Sequence, residues 1–121
     1  MADSHNLGQS GEDIAAEFLR KKGYRILFRN WTWGKHEIDI IAGKDDIVAF
    51  VEVKTRSEEF MVDLGTVISR AKQQSIIFAA DGYIKRFSVD CVSRFDLITI
   101  VGKEDDQKIE HIEEAFYPTL R

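Results

Sequence analysis

EIDIIAGKDDIVAFVEVKTR, residues 37–56, is the stretch that decides the fold of this chain. β-Branched and apolar residues dominate both halves of the stretch, and such residues are enriched in strands. A Gly-Lys-Asp-Asp segment at 43–46 separates the two halves and has the chemistry of a turn. The stretch therefore predicts a β-hairpin.

Charged side chains interrupt this apolar hairpin. Because side chains alternate between the two faces of a strand, residues two apart share a face. One face of the first strand is predicted to carry Glu37 and Asp39, and the other Ile38, Ile40 and Ala42. One face of the second strand is predicted to carry Phe50, Glu52, Lys54 and Arg56, and the other Ala49, Val51, Val53 and Thr55. Carboxylates and a lysine are thus expected on buried strands.

Buried carboxylates on neighbouring strands indicate a cation site. A carboxylate buried without a partner is destabilising by several kcal/mol, or its pKa shifts until it is neutral. Asp39 and Glu52 offer the hard oxygen ligands that Mg²⁺ or Mn²⁺ prefers, and a bound cation would remove the penalty. Lys54 would then lie beside the bound water and the attacked phosphate. The alternative is a structural ion pair of Glu52 with Lys54 or Arg56, the usual explanation of an isolated E-x-K.

Several short blocks along the chain carry a resemblance to a known family. They are Gly11-Glu12 with Ala15 to Leu19, Gly23-Tyr24, Arg29-Asn30, Glu37 to Ala42, Phe50 to Arg56 and Arg94-Phe-Asp96. As a set, these blocks resemble the YraN-like family of small endonucleases. Asp39 followed by Glu52-Val-Lys54 resembles the D…(D/E)-x-K signature of the restriction-endonuclease-like, or PD-(D/E)XK, superfamily. The Pro of that name is absent, since Ile38 precedes Asp39, but a Pro would contribute no ligand.

The resemblance implies both a fold and an activity. The fold is α/β (α+β), a restriction-endonuclease-like mixed sheet flanked by helices, and the residue patterns predict the same element order, α-β-β-β-α-β-β. The implied activity is metal-dependent hydrolysis of nucleic-acid phosphodiesters, with DNA favoured over RNA. The similarity to Holliday-junction resolvases implies branched or structured DNA as substrate and a homodimer as the assembly.

Each candidate site residue has an expected role. Asp39, Glu52 and the Val53 carbonyl are predicted to hold Mg²⁺ or Mn²⁺, and Lys54 to stabilise the transition state. Glu12 is expected on the core-facing side of the first helix, where it either favours the helix dipole or, as the resemblance implies, completes the active site. The candidates for nucleic-acid contacts are Arg25, Arg29, Lys35, Arg56, Lys72 and Gln73. Lys72 and Gln73 also fit an ordinary solvated helix face.

Two other functions compete with the nuclease hypothesis. The first is a non-catalytic nucleic-acid-binding or assembly module that keeps the fold and uses its acidic residues only structurally. The second is a hydrolase of small phosphate esters. The sequence contains no Walker-type loop, dinucleotide fingerprint or His-rich zinc spacing to support that second function.

The charge of the chain permits a nucleic-acid partner without demanding one. The formal net charge is −4, but residues 103–121 hold six acids and three bases, which leaves 15 acids and 14 bases in the other 102 residues. The acidic excess is therefore a property of the C-terminal segment. A basic face elsewhere on the chain is compatible with this composition.

Length and composition predict one soluble domain covering residues 1–121. The lone Cys91 excludes an intrachain disulfide and is expected to be a small core residue. No signal peptide is visible, and no apolar run approaches the roughly 18 residues of a membrane span. We therefore expect a cytoplasmic compartment and no membrane partner.

The remaining patterns predict the order of elements. Residues 1–7 carry no pattern, and residues 57–64 are expected to form a flexible loop over substrate or at a dimer contact. The predicted elements are a helix at 11–22 capped by Ser10, a strand at 24–33, a helix at 65–87 with a break at Gly82, a central strand at 93–101 and an edge strand at 108–112. Trp31 and Trp33 either stack on bases or sugars, or serve internal packing or a dimer contact. Asp96 is expected to be structural, with Arg94 or a backbone amide as its partner.

Overall fold

The computed structural model describes residues 10–56, 68–103 and 105–118. Its elements are α1 (Gly11–Lys21), β1 (Arg25–Trp33), β2 (His36–Lys44), β3 (Ile47–Arg56), α2 (Arg70–Phe87), β4 (Val92–Val101) and β5 (Lys108–Phe116). The predicted order and the mixed α+β class are confirmed. The predictions for residues 1–7 and for the loop at 57–64 lie outside the described residues.

The five strands form one sheet in the order β1-β2-β3-β4-β5. The first three strands pair antiparallel, as predicted, and β5 is antiparallel to β4. The β3 and β4 strands are parallel, and α2 lies in the crossover that a parallel pair requires. The predicted central position of β4 is confirmed.

Each face of the sheet buries its own apolar cluster. The cluster under α2 contains Ile38, Ile41, Phe50, Ile76, Ala79, Tyr83, Phe95 and Leu97, among others. The cluster under α1 contains Ala15, Ala16, Leu19, Ile40, Ala42, Ala49, Val51, Ile98 and Ile100, with Val53 packed against it. The alternation predicted for β3 is confirmed, because Phe50 faces α2 whereas Ala49 and Val51 face α1.

Strict alternation predicts one face of β1 with Ile26 and Phe28 and the other with Arg25, Leu27 and Arg29, and this prediction is wrong in part. Ile26 pairs with Ala42 but Phe28 pairs with Ile41, so a β-bulge at residue 27 inserts one extra residue. Phe28 consequently contacts Tyr83 on the α2 side, whereas Ile26 packs on the α1 side. The bulge moves the Phe28 side chain to the opposite face from the one that strict alternation predicts.

A second irregularity lies at Asp39. Ile38 packs under α2, while Ile40 belongs to the cluster under α1, although the two residues were predicted on one face. Pairing between β2 and β3 ends at Ile40 and Val51. Across from Asp39, Asn30 of β1 has a left-handed backbone with φ 54°. The change of face therefore occurs where the sheet opens between β2 and β3.

Both helices have the capping chemistry that their sequences suggest. The Ser10 hydroxyl accepts a hydrogen bond from the Asp13 N–H at 3.1 Å, and Ser69 accepts one from the Lys72 N–H at 3.1 Å. The second helix therefore begins at Arg70, later than predicted. It does not break at Gly82, where the Trp33 indole packs so closely that an added Cβ would lie 2.4 Å from its ring.

Two smaller predictions are also corrected. The last strand runs to Phe116, four residues beyond the predicted end at residue 112. Cys91 is exposed, because it lies in the bend before β4 and not in the buried strand itself.

Candidate metal and nucleic-acid site

Asp39 occupies the opening between β2 and β3. Its Oδ2 accepts a hydrogen bond from the Val53 N–H at 2.8 Å. The pairing of the two strands stops at Ile40 and Val51, so the carboxylate takes the place of the strand carbonyl that would otherwise serve Val53. This bond fixes the side chain at the edge of the gap.

Glu52 is the buried carboxylate of the site, with 4% of its surface exposed. Its Oε2 lies 3.8 Å from the Lys54 Nζ and 3.8 Å from the Lys72 Nζ. The other oxygen, Oε1, is buried and has no hydrogen-bond donor among the described residues. An orphaned buried carboxylate oxygen is rare in proteins and suggests a ligand such as a cation.

The pKa of Glu52 also suggests a cation ligand. Burial raises the pKa of Glu52 to about 7, assisted by the neighbouring Asp39 carboxylate and opposed by Lys72 and Lys54. The two ammonium groups therefore do not fully compensate the buried charge. A divalent cation beside Asp39 and Glu52 would supply the missing positive charge.

Glu12 approaches Asp39 from α1. Burial, and then the charge of Asp39, raise the pKa of Glu12, while a hydrogen bond with Asn30 and the charge of Arg29 lower it. The Glu12 Oε1 lies 3.7 Å from the guanidinium of Arg29. Glu12 is thus near Asp39.

The acidic residues do not close into a compact triad. Within residues 10–56, 68–103 and 105–118, no group of three His, Cys, Asp or Glu side chains is arranged to hold a metal ion. Mg²⁺ commonly binds one or two carboxylates and keeps several waters. Asp39 and Glu52 fit that requirement. The Val53 carbonyl is predicted to be a third ligand, and Glu12 is predicted to bind directly or through water.

The structure separates the predicted nucleic-acid residues into two groups. Lys72 lies at the site, and the Gln73 amide donates to the Ile68 carbonyl at 3.0 Å. Arg29 is held by Asp13 at 2.7 Å. Lys35 and Arg56 are exposed at the end of the sheet nearest the site, whereas Arg25 pairs with Gly43 at the opposite end.

Similarity to known proteins identifies the family of the chain. The model of the "Uncharacterised protein family UPF0102" matches residues 11–100. The chain belongs to this family. It is 43% identical over 121 residues to a UPF0102 protein of Parabacteroides distasonis, with 100% of both chains covered. It is 42% identical over 120 residues to one of Bacteroides thetaiotaomicron, with 99% of both chains covered. It is 46% identical over 120 residues to one of Flavobacterium psychrophilum, with 97% of this chain and 98% of the relative covered.

These relatives confirm the predicted membership of the YraN-like, UPF0102 family. Neither described helix is long and apolar enough to cross a membrane.

Sequence analysis gave no role in the site to two residues that lie beside it, Asn30 and Asp13. Asn30 was named only within the Arg29-Asn30 block, and its side chain lowers the pKa of Glu12. The structure gives Asn30 a left-handed backbone with φ 54°, a conformation that Asn adopts more readily than most residues. Asp13 holds Arg29, which had been predicted to contact phosphate. Its position at the start of a helix suggested only a role at the helix terminus.

Replacing Glu52 with Gln should stabilise the metal-free protein. The folded-state pKa of about 7 exceeds the ordinary value of about 4.3, so the wild type loses stability as the pH rises between these values. We expect Glu52→Gln to be more stable by about 2–3 kcal/mol at pH 8 and nearly equal to wild type at pH 4.5. Urea unfolding in EDTA at both pH values measures the difference.

The matched control for this prediction is Glu17→Gln. Glu17 lies on the exposed face of α1, and among residues 10–56, 68–103 and 105–118 its one ion pair is with Arg20, at 3.6 Å. This variant should change stability little at either pH. A Glu52→Gln protein less stable than wild type at pH 8 would contradict the prediction.

Proposed function

We propose that this UPF0102 protein is a metal-dependent endonuclease that hydrolyses nucleic-acid phosphodiesters. The proposal includes membership of the PD-(D/E)XK superfamily, a preference for DNA over RNA, and branched or structured DNA as substrate. Mg²⁺ or Mn²⁺ is the proposed cofactor. Asp39, Glu52 and the Val53 carbonyl are its proposed ligands, with Glu12 completing the catalytic set.

The Glu52 carboxylate supports this proposal most directly. It is buried, one oxygen has no donor among the described residues, and it lies beside the second carboxylate, Asp39. Both nearby ammonium groups, those of Lys54 and Lys72, approach the same oxygen, Oε2.

The residues around the carboxylates match the needs of phosphodiester hydrolysis. A divalent cation, when bound, lowers the pKa of a water and offsets negative charge on the phosphate. The Val53 N–H holds Asp39 in one orientation, so no reorientation is needed during the reaction. Lys54 presents an ammonium to the attacked phosphate group. Lys72, at the start of α2, offers a second cationic contact to the nucleic-acid backbone.

Metal titration and cleavage assays together test the proposal. Isothermal titration with Mn²⁺ and Mg²⁺ should show binding to wild type and a loss of at least tenfold in affinity for Asp39→Asn and Glu52→Gln. Wild type should then cleave branched DNA in Mg²⁺ but not in EDTA, and single-stranded and duplex DNA serve as comparisons.

Glu113→Gln is the control, because Glu113 is an exposed carboxylate on β5. Its metal affinity and cleavage should equal those of wild type. Unchanged metal affinity in the Asp39 and Glu52 variants would refute the site. Metal binding without cleavage of any DNA would favour the non-catalytic nucleic-acid-binding module.

A further inference from the structure

The α2 helix is positively charged within an acidic chain. It carries four bases, Arg70, Lys72, Lys85 and Arg86, against one acid, Asp81, a net charge of +3. The whole chain has a net charge of −4, so the rest of the chain carries −7. Asp81 is itself paired with Lys85 at 3.0 Å. The surface of α2 is therefore the natural place for an anionic partner.

Exposed aromatic side chains lie along the same helix. Phe78 is 54% exposed, and its ring lies 4.8 Å from the ring of His36. His36 is held to α2 by a 2.7 Å hydrogen bond between its Nδ1 and the Ser75 hydroxyl. One turn beyond Phe78, Trp33 covers Gly82 and is 36% exposed. We call His36, Phe78 and Trp33 the aromatic ledge.

Trp33 packs against a cluster of aromatic side chains. It stacks on Trp31 with a centroid distance of 6.0 Å and an interplanar angle of 17°. Trp31 packs edge-on against Tyr83, 5.2 Å between centroids. Trp31 therefore serves internal packing, while Trp33 is held rigidly with part of its surface facing outward.

The ledge lies on the same helix as Lys72 of the candidate metal site. Lys72, which contacts Glu52, lies three residues before Ser75 and six before Phe78 on α2. Six residues of helix span about 9 Å. That distance equals roughly two or three stacked nucleotides at 3.4 Å each. A strand whose phosphate lies at Glu52 can therefore place its next bases over the ledge.

We propose that the aromatic ledge stacks with unpaired bases of a single-stranded segment and so delivers the adjoining phosphate to Glu52 and Asp39. This inference rests on the proposed nuclease function and specifies its substrate. Exposed aromatic rings beside a basic helix are the combination that binds single strands, because every base has a face that can stack. Duplex DNA hides those faces, so branched or flapped DNA with an unpaired segment is the substrate class.

A second copy of the chain is the competing occupant of the ledge. A two-fold contact through this surface would bring α2 of one protomer against α2 of the other. Two α2 helices that each carry a net charge of +3 would repel each other in such a contact, whereas the same charge attracts a nucleic-acid strand. The charge therefore favours the polyanion.

Binding assays without metal test the ledge independently of catalysis. Fluorescence anisotropy in EDTA compares a short oligothymidine with a duplex of equal length. We expect Phe78→Ala to weaken oligothymidine binding by about 5- to 150-fold, the range for losing one stacked base, and to leave duplex binding unchanged. Lys72→Met should weaken both by a similar factor, because a phosphate contact ignores pairing.

Tyr117→Ala is the matched control, because Tyr117 is a 64% exposed aromatic residue beyond β5, at the other edge of the sheet. It should bind like wild type. Equal oligothymidine affinity for wild type and Phe78→Ala would overturn the ledge. The ledge would also be refuted if wild type sediments as a dimer and Phe78→Ala sediments as a monomer. Since EDTA excludes cleavage, failure of the nuclease proposal would appear only in the metal titrations.

Discussion

Asp96→Ala is expected to destabilise the protein by about 3–5 kcal/mol, because it leaves the buried Arg94 guanidinium without its carboxylate partner. Asp96 is fully buried, and its Oδ2 accepts hydrogen bonds from Arg94 at 2.8 Å and from the His111 Nε2 at 2.8 Å. The Glu114 N–H donates to its other oxygen at 3.2 Å. The Arg94 guanidinium, itself mostly buried, would lose its principal partner. Urea unfolding at pH 7 measures the loss.

The pH dependence of this effect provides a second check. Burial alone would raise the pKa of Asp96, but the bonds from His111 and Arg94 outweigh it and hold the pKa below its ordinary value. A lowered folded-state pKa stabilises the protein above about pH 3.9, and that contribution is lost as the pH falls further. The difference in unfolding free energy between wild type and Asp96→Asn should therefore become smaller below pH 4.

Glu113→Gln is the control for the same network. Glu113 lies 3.7 Å from Arg94 but is half exposed, so its removal should change stability by at most about 1 kcal/mol. Equal unfolding free energies for Asp96→Ala and Glu113→Gln would contradict the structural role of Asp96.

The outcome for Asp96 illustrates what sequence can predict. Arg94 was foreseen as its partner because the two residues are two apart and share a strand face. His111 was not foreseen, because it lies 15 residues away and reaches Asp96 only through the β4–β5 register. That register shifts between Phe95 and Leu97, where the Glu114 N–H turns toward the carboxylate. Such irregular pairing has no simple sequence signature.

The faces of the strands were likewise predictable where the pairing is regular and not where it is irregular. β3 pairs with β4 at every residue from 47 to 56, so a period of two was sufficient to assign its faces. β1 and β2 contain a bulge at residue 27 and a change of face around Asp39, so the same rule failed there. The element order was predictable because each hydrophobic run was long and bounded by turn residues.

The candidate site was predictable in its residue types but not in its geometry. Asp39, Glu52 and Lys54 were chosen because charge on a buried strand is costly. Their arrangement depends on the gap between β2 and β3, where the Val53 N–H bonds to a side chain. The position of Lys72 depends on how α2 crosses the sheet, which no local pattern specifies. Glu12 was expected to complete the active site, and the charge of Asp39, after burial, raises its pKa.

Lys54→Met is expected to lower the rate of DNA cleavage by about 10²- to 10³-fold while leaving the fold intact. The substitution removes the ammonium but keeps most of the apolar stem, and the side chain is 30% exposed. Because Lys54 lowers the pKa of Glu52, its loss also weakens metal binding near neutral pH. Single-turnover cleavage at pH 8.5 in saturating Mg²⁺ removes that secondary effect.

Lys72→Met is the matched comparison, because its ammonium lies at the same 3.8 Å from the same Glu52 oxygen. Lys72 is on the helix that is proposed to contact the nucleic acid, so its loss should raise KM and leave kcat within a few-fold of wild type. Lys54 is on the strand beside the carboxylates, so its loss should lower kcat. Equal effects of the two substitutions on kcat would mean that Lys54 acts only as one more positive charge. The catalytic role proposed for it would then be wrong.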